Sequence, residues 1–241
     1  MSNFKDFFVK EKPVFTGIAR GVGGFAFGVS GIAEVSPSFT ASGGAITLGS
    51  NSANGYTYHV FDQANSPETF EVTNAGDNEG YIEVLVVGGG GGGGGRGGGG
   101  GAGGVRYLTY QVTGTATMPV TVGAGSAGGT GHPGSRGTTG GNTVFVNPLE
   151  PETTTCGGGG GGGGAPPAGP AVGLSNANGS SGGMGRDGNA GPVASPDPAY
   201  GYPSGGAASD NNNGAGGGGG AGGSGARGNG PQTVMEGPGS G

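Results

Sequence analysis

The residues whose pattern could bind a ligand lie where an apolar run meets glycine. Residues 84–87 read Val-Leu-Val-Val, and Gly88 then opens a stretch in which 15 of 17 residues are glycine. A strand that leads into a glycine-rich turn is typical of phosphate-binding loops, whose backbone N–H groups contact the phosphate. Such a site needs a helix to begin there, and glycine costs about 1 kcal/mol per helical position. No Gly-Lys-Ser/Thr sequence follows, so the pattern does not favour nucleotide binding.

Two short stretches contain oxygen atoms that suit calcium. Residues 182–187, Gly-Gly-Met-Gly-Arg-Asp, match one copy of a calcium-binding repeat, but that site is built from stacked copies. Residues 210–213, Asp-Asn-Asn-Asn, offer carboxylate and amide oxygens. We expect a surface turn at the first stretch and a polar loop at the second, with no metal ion or other cofactor.

The remaining nucleophilic and titratable side chains do not form a catalytic set. His59 lies in a strand pattern, His132 lies in a Gly-Pro loop, and Cys156, the single cysteine, directly precedes a glycine tract. Nothing in the sequence pairs them as a nucleophile and a base. We therefore expect structural or exposed histidines, an inert thiol and no enzymatic activity.

The composition limits both the fold and the partners. Glycine supplies 70 of the 241 residues, apolar residues supply 31%, and tryptophan is absent, so a conventional core for the whole chain is not expected. The net charge is −6 and the basic residues are scattered, which does not indicate a nucleic-acid-binding face. We find no apolar run of membrane-helix length and no signal peptide, so we expect neither membrane insertion nor export by the general secretory route.

Strand patterns occupy the middle of the chain. Residues 57–61, 68–73, 81–87, 107–112, 119–122 and 143–146 have the apolar spacing or β-rich composition of strands, separated by turn-prone clusters. From residue 150 onward these patterns stop. Glycine tracts return at 157–164 and 214–225.

Long glycine tracts have one ordered conformation available to them. Polyglycine II is a polyproline-II-type helix with three residues per turn, and its outward N–H and C=O groups pair only with neighbouring helices. The alternative is a flexible linker, but repeated tracts and flanking strands favour order. The predicted fold is therefore mostly β, with a small antiparallel β-sandwich or sheet core followed by a polyglycine-II helix bundle. The expected scaffold glycines are Gly88, Gly92, Gly95, Gly99, Gly157, Gly160, Gly164 and Gly218.

Three parts follow along the chain: an N-terminal attachment or assembly arm at 1–35, a β-rich domain with the first glycine tract at 36–148, and a polyglycine-II bundle with loop tips at 149–241. The first phenylalanines of the arm have helical spacing, which fits either core packing or docking onto a partner. The residues assigned to partner attachment are Phe4, Phe7, Phe8, Phe15, Phe25 and Phe27.

Loops between packed glycine helices are the expected binding positions, because loops on a rigid scaffold commonly carry function. Tyr200 and Tyr202 suit contacts with protein or carbohydrate, and packing against the glycine surface is the alternative. The candidate receptor-contact residues are His132, Arg136, Tyr200, Tyr202, Asp210 and Asn212.

Three motifs resemble the glycine-rich domain of bacteriophage tail proteins, including tail-fibre and tail-tip proteins of marine phages. They are a strand that runs into polyglycine at 82–104, a strand that ends in Val-Gly-Ala-Gly and leads into a glycine-rich loop at 120–129, and Gly-Gly-Asn-Thr-Val-Phe at 140–145. The resemblance covers roughly residues 55–165 and, more loosely, the chain to its end. The distal tail-fibre adhesins of T-even-like phages share the glycine architecture. The resemblance implies a virion structural or adhesive role, with no receptor-contact residue carried over.

We therefore expect a non-enzymatic component of a phage tail that contacts the host surface through loops, present in the virion and extracellular after host lysis. Expected partners are other tail proteins or identical subunits in a homo-oligomer, and a host surface protein or glycan. The alternative is a self-assembling, glycine-rich extracellular filament or sheath subunit. An ice-binding scaffold is less favoured, because the sequence lacks a regular face of small residues.

Overall fold

The computed structural model describes residues 39–44, 46–48, 56–76, 80–131, 134–150, 153–165, 172–186, 199–206 and 214–228. The chain divides into two units, residues 1–35 and residues 36–241, and every described residue belongs to the second. The predicted N-terminal arm and its six phenylalanines lie outside the described residues.

The described residues form nine strands and one 3-10 turn at Gln63–Asn65. All strand pairs are antiparallel, in a five-stranded sheet of order β1-β4-β7-β8-β9 and two hairpins, β2-β3 and β5-β6. The prediction of a mostly-β chain with antiparallel sheets is confirmed. The strands are β1 (Thr40–Ser42), β2 (Ile46–Leu48), β3 (Tyr58–Val60), β4 (Glu68–Asn74), β5 (Gly80–Val87), β6 (Val105–Val112), β7 (Ala116–Thr121), β8 (Thr143–Phe145) and β9 (Thr154–Cys156).

The apolar core lies between the five-stranded sheet and the β5-β6 hairpin. Successive side chains of a strand point to opposite faces, so β7 buries Ala116, Met118 and Val120 while the residues between them are exposed. Ile82 and Val86 of β5 belong to the same cluster of buried residues. Two sheets that share one buried cluster make this part of the chain a small sandwich.

β9 (Thr154–Cys156) corrects the expectation that strands end before residue 150. Its three residues pair with β8, and Cys156 is fully buried in the core. Three residues with two threonines are too short to show a period-two pattern, which explains why the sequence did not reveal this strand.

Glycine-rich segments extend from the ends of these strands. Residues 88–95 (first segment) continue β5, and residues 97–104 (second) lead into β6. Likewise β7 leads into residues 123–131 (third), residues 134–142 (fourth) lead into β8, and β9 leads into residues 157–165 (fifth). The later segments are residues 179–186 (sixth), 200–206 (seventh), 214–220 (eighth) and 223–228 (ninth).

The backbone of the first segment hydrogen-bonds to a different neighbour at each successive residue, and the pattern repeats every third residue. The N–H groups of Gly88, Gly91 and Gly94 donate to the second segment, at N···O distances of 2.8, 2.9 and 2.7 Å. Those one residue later donate to the fourth segment. A repeat of three is the periodicity of polyglycine II, which has three residues per turn. The fourth-segment bonds are Gly89 to Gly141 (3.0 Å), Gly92 to Thr138 (3.0 Å) and Gly95 to Ser135 (2.8 Å).

The second and fifth segments repeat this arrangement, so the segments form one array rather than separate pairs. Carbonyls of the first segment accept from both the third and the fifth segments, as in Ser126 N–H to Gly90 (3.0 Å) and Gly159 N–H to Gly89 (2.8 Å). The second segment bonds to the first, fifth, sixth and eighth. Because these bonds join segments on both sides of residue 148, the β-rich and glycine-rich parts of the chain interleave. We call this element the glycine array.

The array is not a bundle of α-helices, since the described residues include no α-helix. Its walls are backbone, and a Cβ at most of its glycines would overlap a neighbouring carbonyl group. Of the eight expected scaffold glycines, seven would place a Cβ within 3.0 Å of a neighbouring backbone atom, and Gly95 would place it at 3.1 Å. Side chains are nevertheless buried on the sixth segment, at Ser180, Ser181 and Met184. The segments therefore pack closely without being pure glycine.

We predict that Gly91→Ala destabilises the protein and that Gly90→Ala does not. A Cβ at Gly91 would collide with the Gly160 carbonyl, whereas a Cβ at Gly90 meets nothing within 4 Å. The collision should cost about 1–3 kcal/mol, and alanine at the open site should be neutral or stabilise by up to about 1 kcal/mol. Urea denaturation of both variants measures the difference, and equal midpoints would contradict close packing of the first and fifth segments.

Candidate functional site: the tip of the glycine array

The segments of the array end together at the side away from the strands. Gly95 N–H donates to the Ser135 carbonyl, and Ala165 N–H donates to the Gly134 carbonyl (2.8 and 3.0 Å). These bonds place three segment ends at the same height, by which we mean the distance along the array from the strands. Bonds through the sixth to ninth segments place their ends at the same height. We define the tip as residues 94–97, 130–131, 134–136, 185–186, 206, 214 and 227–228. The linking bonds are Gly163 to Gly183, Met184 to Gly205, Gly216 to Met184 and Gly228 to Gly206.

The turn between the first and second segments presents Arg96. Gly94 N–H donates to the Gly98 carbonyl (2.7 Å) and Gly97 N–H donates to the Gly94 carbonyl (3.2 Å), which closes the turn. Arg96 is exposed and has a φ of +51°, in the left-handed region that glycine adopts more readily. A side chain in this conformation costs about 1 kcal/mol, yet arginine interrupts a run of glycine here.

The loop between the third and fourth segments is closed by its own hydrogen bonds. Thr130 N–H donates to Ser135 Oγ (2.9 Å), and Ser135 N–H donates to the Thr130 carbonyl (3.1 Å). Arg136 follows directly and is half-buried. His132 belongs to this loop but lies outside the described residues. The structure therefore places one predicted contact residue, Arg136, at the tip.

Of the two predicted tyrosines, Tyr200 lies beside β6 at the sheet end of the array, and Tyr202 lies part-way along the array. Arg106 of β6 donates to the Tyr200 hydroxyl (2.8 Å), and its guanidinium lies 4.9 Å from the centre of the Tyr200 ring. Tyr202 N–H donates to Ser180 Oγ (3.1 Å). Tyr200 thus takes part in a hydrogen bond and a cation–π contact with a strand residue. Asp210 and Asn212, the other predicted contact residues, lie outside the described residues.

Arg186 and Arg227 are tip residues that sequence reasoning did not single out. Each stands at the end of a glycine-rich segment, one half-buried and the other exposed. The sequence did contain a signal for them, because each is a long side chain at the end of a run of glycine and other small residues. A long side chain there indicates the place where a glycine-rich segment leaves close packing. The sequence does not show that these ends meet.

Polar side chains at the other end of the array join it to the sandwich. Thr143 Oγ1 donates to the Val87 carbonyl (2.6 Å) and accepts from Gly123 N–H (3.0 Å). Asn142 Oδ1 accepts from Gly158 N–H (3.1 Å). The Gly-Asn-Thr sequence at 141–143 thus supplies hydrogen bonds where the first, third and fifth segments leave their strands.

Cys156 lies at the same junction and is buried. Its thiol donates to the Val86 carbonyl (S···O 3.4 Å). Desolvation raises the pKa of this thiol, although the nearby Arg106 charge lowers it in part. A buried thiol with a raised pKa forms little thiolate, which suits a structural role.

The β5-β6 hairpin exposes an apolar face on its outer side. Tyr81, Leu85 and Tyr107 are 61%, 64% and 62% exposed. Glu83 lies between them, and its carboxylate accepts from Tyr56 Oη (3.2 Å). Hydrogen bonding to Glu83 raises the pKa of both Tyr56 and Tyr107.

Within the described ranges, no three His, Cys, Asp or Glu side chains come together in a way that suits a metal ion. The same part of the chain has no helix long and apolar enough to span a bilayer.

We predict that Thr143→Val destabilises the protein by about 1–3 kcal/mol, because it removes a buried hydroxyl and leaves the Gly123 N–H without this acceptor. Thr117→Val, at an exposed position on β7, is the matched control and should change stability by less than about 0.5 kcal/mol. Urea denaturation measures both. Similar midpoints for the two variants would show that the junction does not depend on this hydroxyl.

Comparison with known proteins identifies a family. A family model described as a glycine-rich domain matches residues 63–241. No curated protein and no solved structure matches the chain. The matched region begins before β4 and contains the whole glycine array, and it covers well over half of the sequence. The chain therefore belongs to the glycine-rich domain family.

Proposed function

We propose that the protein is a non-enzymatic virion component, part of a phage tail fibre or tail tip, that contacts the host surface through the tip of the glycine array. The observation that carries the proposal is that the ends of the glycine segments lie together at the tip, at one end of an array formed by backbone hydrogen bonds. The motifs at 82–104, 120–129 and 140–145 resemble phage tail proteins and support the same role.

The array suits adhesion because its stiffness does not depend on the connecting loops. Each inner segment is hydrogen-bonded on several sides, at every third residue for each neighbour. Loops at its end can change in sequence without altering those bonds, and surface loops on such scaffolds commonly carry binding. The partners in this role are a host surface protein or glycan at the tip, and tail proteins or identical subunits elsewhere.

Residues 1–35 are the proposed attachment arm, through Phe4, Phe7, Phe8 and the later phenylalanines of the segment. These residues lie outside the described part of the chain, so the proposal rests on their sequence alone. In this role the protein is located in the virion.

A second candidate is a self-assembling filament or sheath subunit. It is favoured by the exposed face of β5-β6, where Tyr81, Leu85 and Tyr107 present apolar surface. Apolar faces of this kind commonly mark contacts between proteins. Identical contacts through this face would assemble subunits along an axis.

Electron microscopy of the full-length protein distinguishes the two candidates. We predict discrete particles or small oligomers, because the inner segments of the described array take their hydrogen-bond partners from the same chain. The Leu85→Glu variant, which adds charge to the exposed face, should leave the particles unchanged. Long regular filaments that Leu85→Glu abolishes would replace the tail-protein proposal with the filament.

Adsorption to cells tests the adhesive role directly. Labelled full-length protein, incubated with a panel of bacterial strains, should bind a subset of them and be retained after washing. Absence of binding to every strain, or equal binding to all of them, would count against receptor recognition.

A further inference from the structure

The basic residues of the array are confined to its tip. Hydrogen bonds set the height of every segment relative to the first, and on that scale Arg96 and Arg186 stand about two residues above Arg136 and Arg227. At roughly 3.1 Å per residue this is a band of about 6 Å in an array about 25 Å long. The described chain has one other basic residue, Arg106, which lies near the sheets.

The acidic residues that the structure describes lie at the other end of the molecule. Asp62, Glu68, Glu71, Glu83 and Glu150 all belong to the strands or their connections, and none belongs to the array. Among the described residues, these five acids therefore stand at the sheet end while four of the five arginines stand at the tip. An anionic surface would repel the sheet end and attract the tip, which orients the protein as it approaches.

The arginines also spread across the tip rather than along one edge. Arg96 follows the first segment, and Arg136 lies at the start of the fourth segment, which is its neighbour. Arg227 lies at the end of the ninth segment. Hydrogen bonds connect the first segment to the second, the second to the eighth and the eighth to the ninth. Three steps between neighbouring extended segments, at about 4.8 Å each, give a width of roughly 15 Å. A patch of this width faces several charged groups of a polymer at once.

Arg96 adds an independent argument. Its φ of +51° favours glycine, and glycine fills the rest of the run from 88 to 101. An arginine at that turn opposes the local conformational preference, which favours a role for its side chain. A guanidinium presents a planar set of donors that pairs with phosphate or carboxylate through two hydrogen bonds.

We propose that the arginine tip binds an anionic surface polysaccharide, one that carries phosphate or carboxylate groups. This proposal builds on the proposed adhesive function and names the chemistry of its ligand. A polysaccharide is chosen over a nucleic acid because the proposed adhesive function brings the tip to a cell surface, and the acidic sheet end confines the contact with any long polyanion to the tip. Asp187 and Asp210 lie outside the described residues, and their carboxylates are present in the full-length protein used in the experiment.

Biolayer interferometry of the full-length protein on immobilised phosphorylated dextran tests the proposal, with unmodified dextran as the neutral probe. We expect binding to the phosphorylated polymer alone, weakening as salt rises from 50 to 300 mM because screening shortens the range of the attraction. The double variant Arg96→Gln, Arg227→Gln should bind about tenfold more weakly, and Arg96→Lys, Arg227→Lys should keep part of the binding.

The control variant is Gln63→Glu, Gln111→Glu, which changes two exposed residues at the sheet end. It alters the net charge by the same two units as the glutamine double variant, but away from the tip. Retained binding in this control, with loss in the tip variant and unchanged denaturation midpoints in both, supports the proposal. Equal loss in both variants, equal binding in both, or no binding of the unchanged protein overturns it.

The strain panel separates this proposal from the function beneath it. Cell binding that survives in the tip variant keeps the adhesive function and overturns only the anionic ligand. No cell binding by the unchanged protein, even with binding to phosphorylated dextran, overturns the adhesive function and leaves the charge-based recognition standing.

Discussion

The glycine array depends on one constraint: every buried backbone N–H and C=O must find a partner on another segment, since an extended threefold chain has no internal hydrogen bonds. That pairing requires the segments to approach more closely than side chains allow, because a Cβ placed at Gly91 or Gly160 would overlap the carbonyl of a neighbouring segment. Glycine is thus the solution to a packing problem between backbones. The apolar core of the sandwich solves a separate problem with ordinary side chains, and it is correspondingly small.

The junction between the two parts changes the periodicity of the chain from two to three. In β5 alternate residues such as Ile82 and Val86 enter the core, whereas beyond Gly88 every third residue faces the same neighbour. The change occurs without a loop, because strands and polyproline-II-type segments occupy the same broad region of backbone conformation. Thr143 and Asn142 bond to the backbone at this level, and they add side-chain hydrogen bonds to the backbone bonds that already join the segments.

Much of this architecture can be read from the sequence, and the part that cannot has physical causes. The strands β4, β5 and β6 are long enough to show their patterns, and the uninterrupted tracts indicate close packing. β9 escapes notice because three residues carry no periodicity. Ser180 and Met184 show that the array accepts side chains where neighbours leave space, which composition does not reveal. The meeting of Arg96, Arg136, Arg186 and Arg227 depends on which segments are neighbours, and that is a property of long-range pairing.

The scarcity of side chains in the array also gives it an unusual thermal character. Unfolding an apolar core exposes hydrocarbon to water and raises the heat capacity, while exposing polar backbone lowers it. Opening the array exposes mainly peptide groups, so its contribution to the heat capacity change is small or opposite in sign to that of the sandwich around Val72 and Met118. The stability of such a chain varies less steeply with temperature than its length suggests. At low temperature the apolar core contributes less to stability, whereas the contribution of the hydrogen-bonded array is retained.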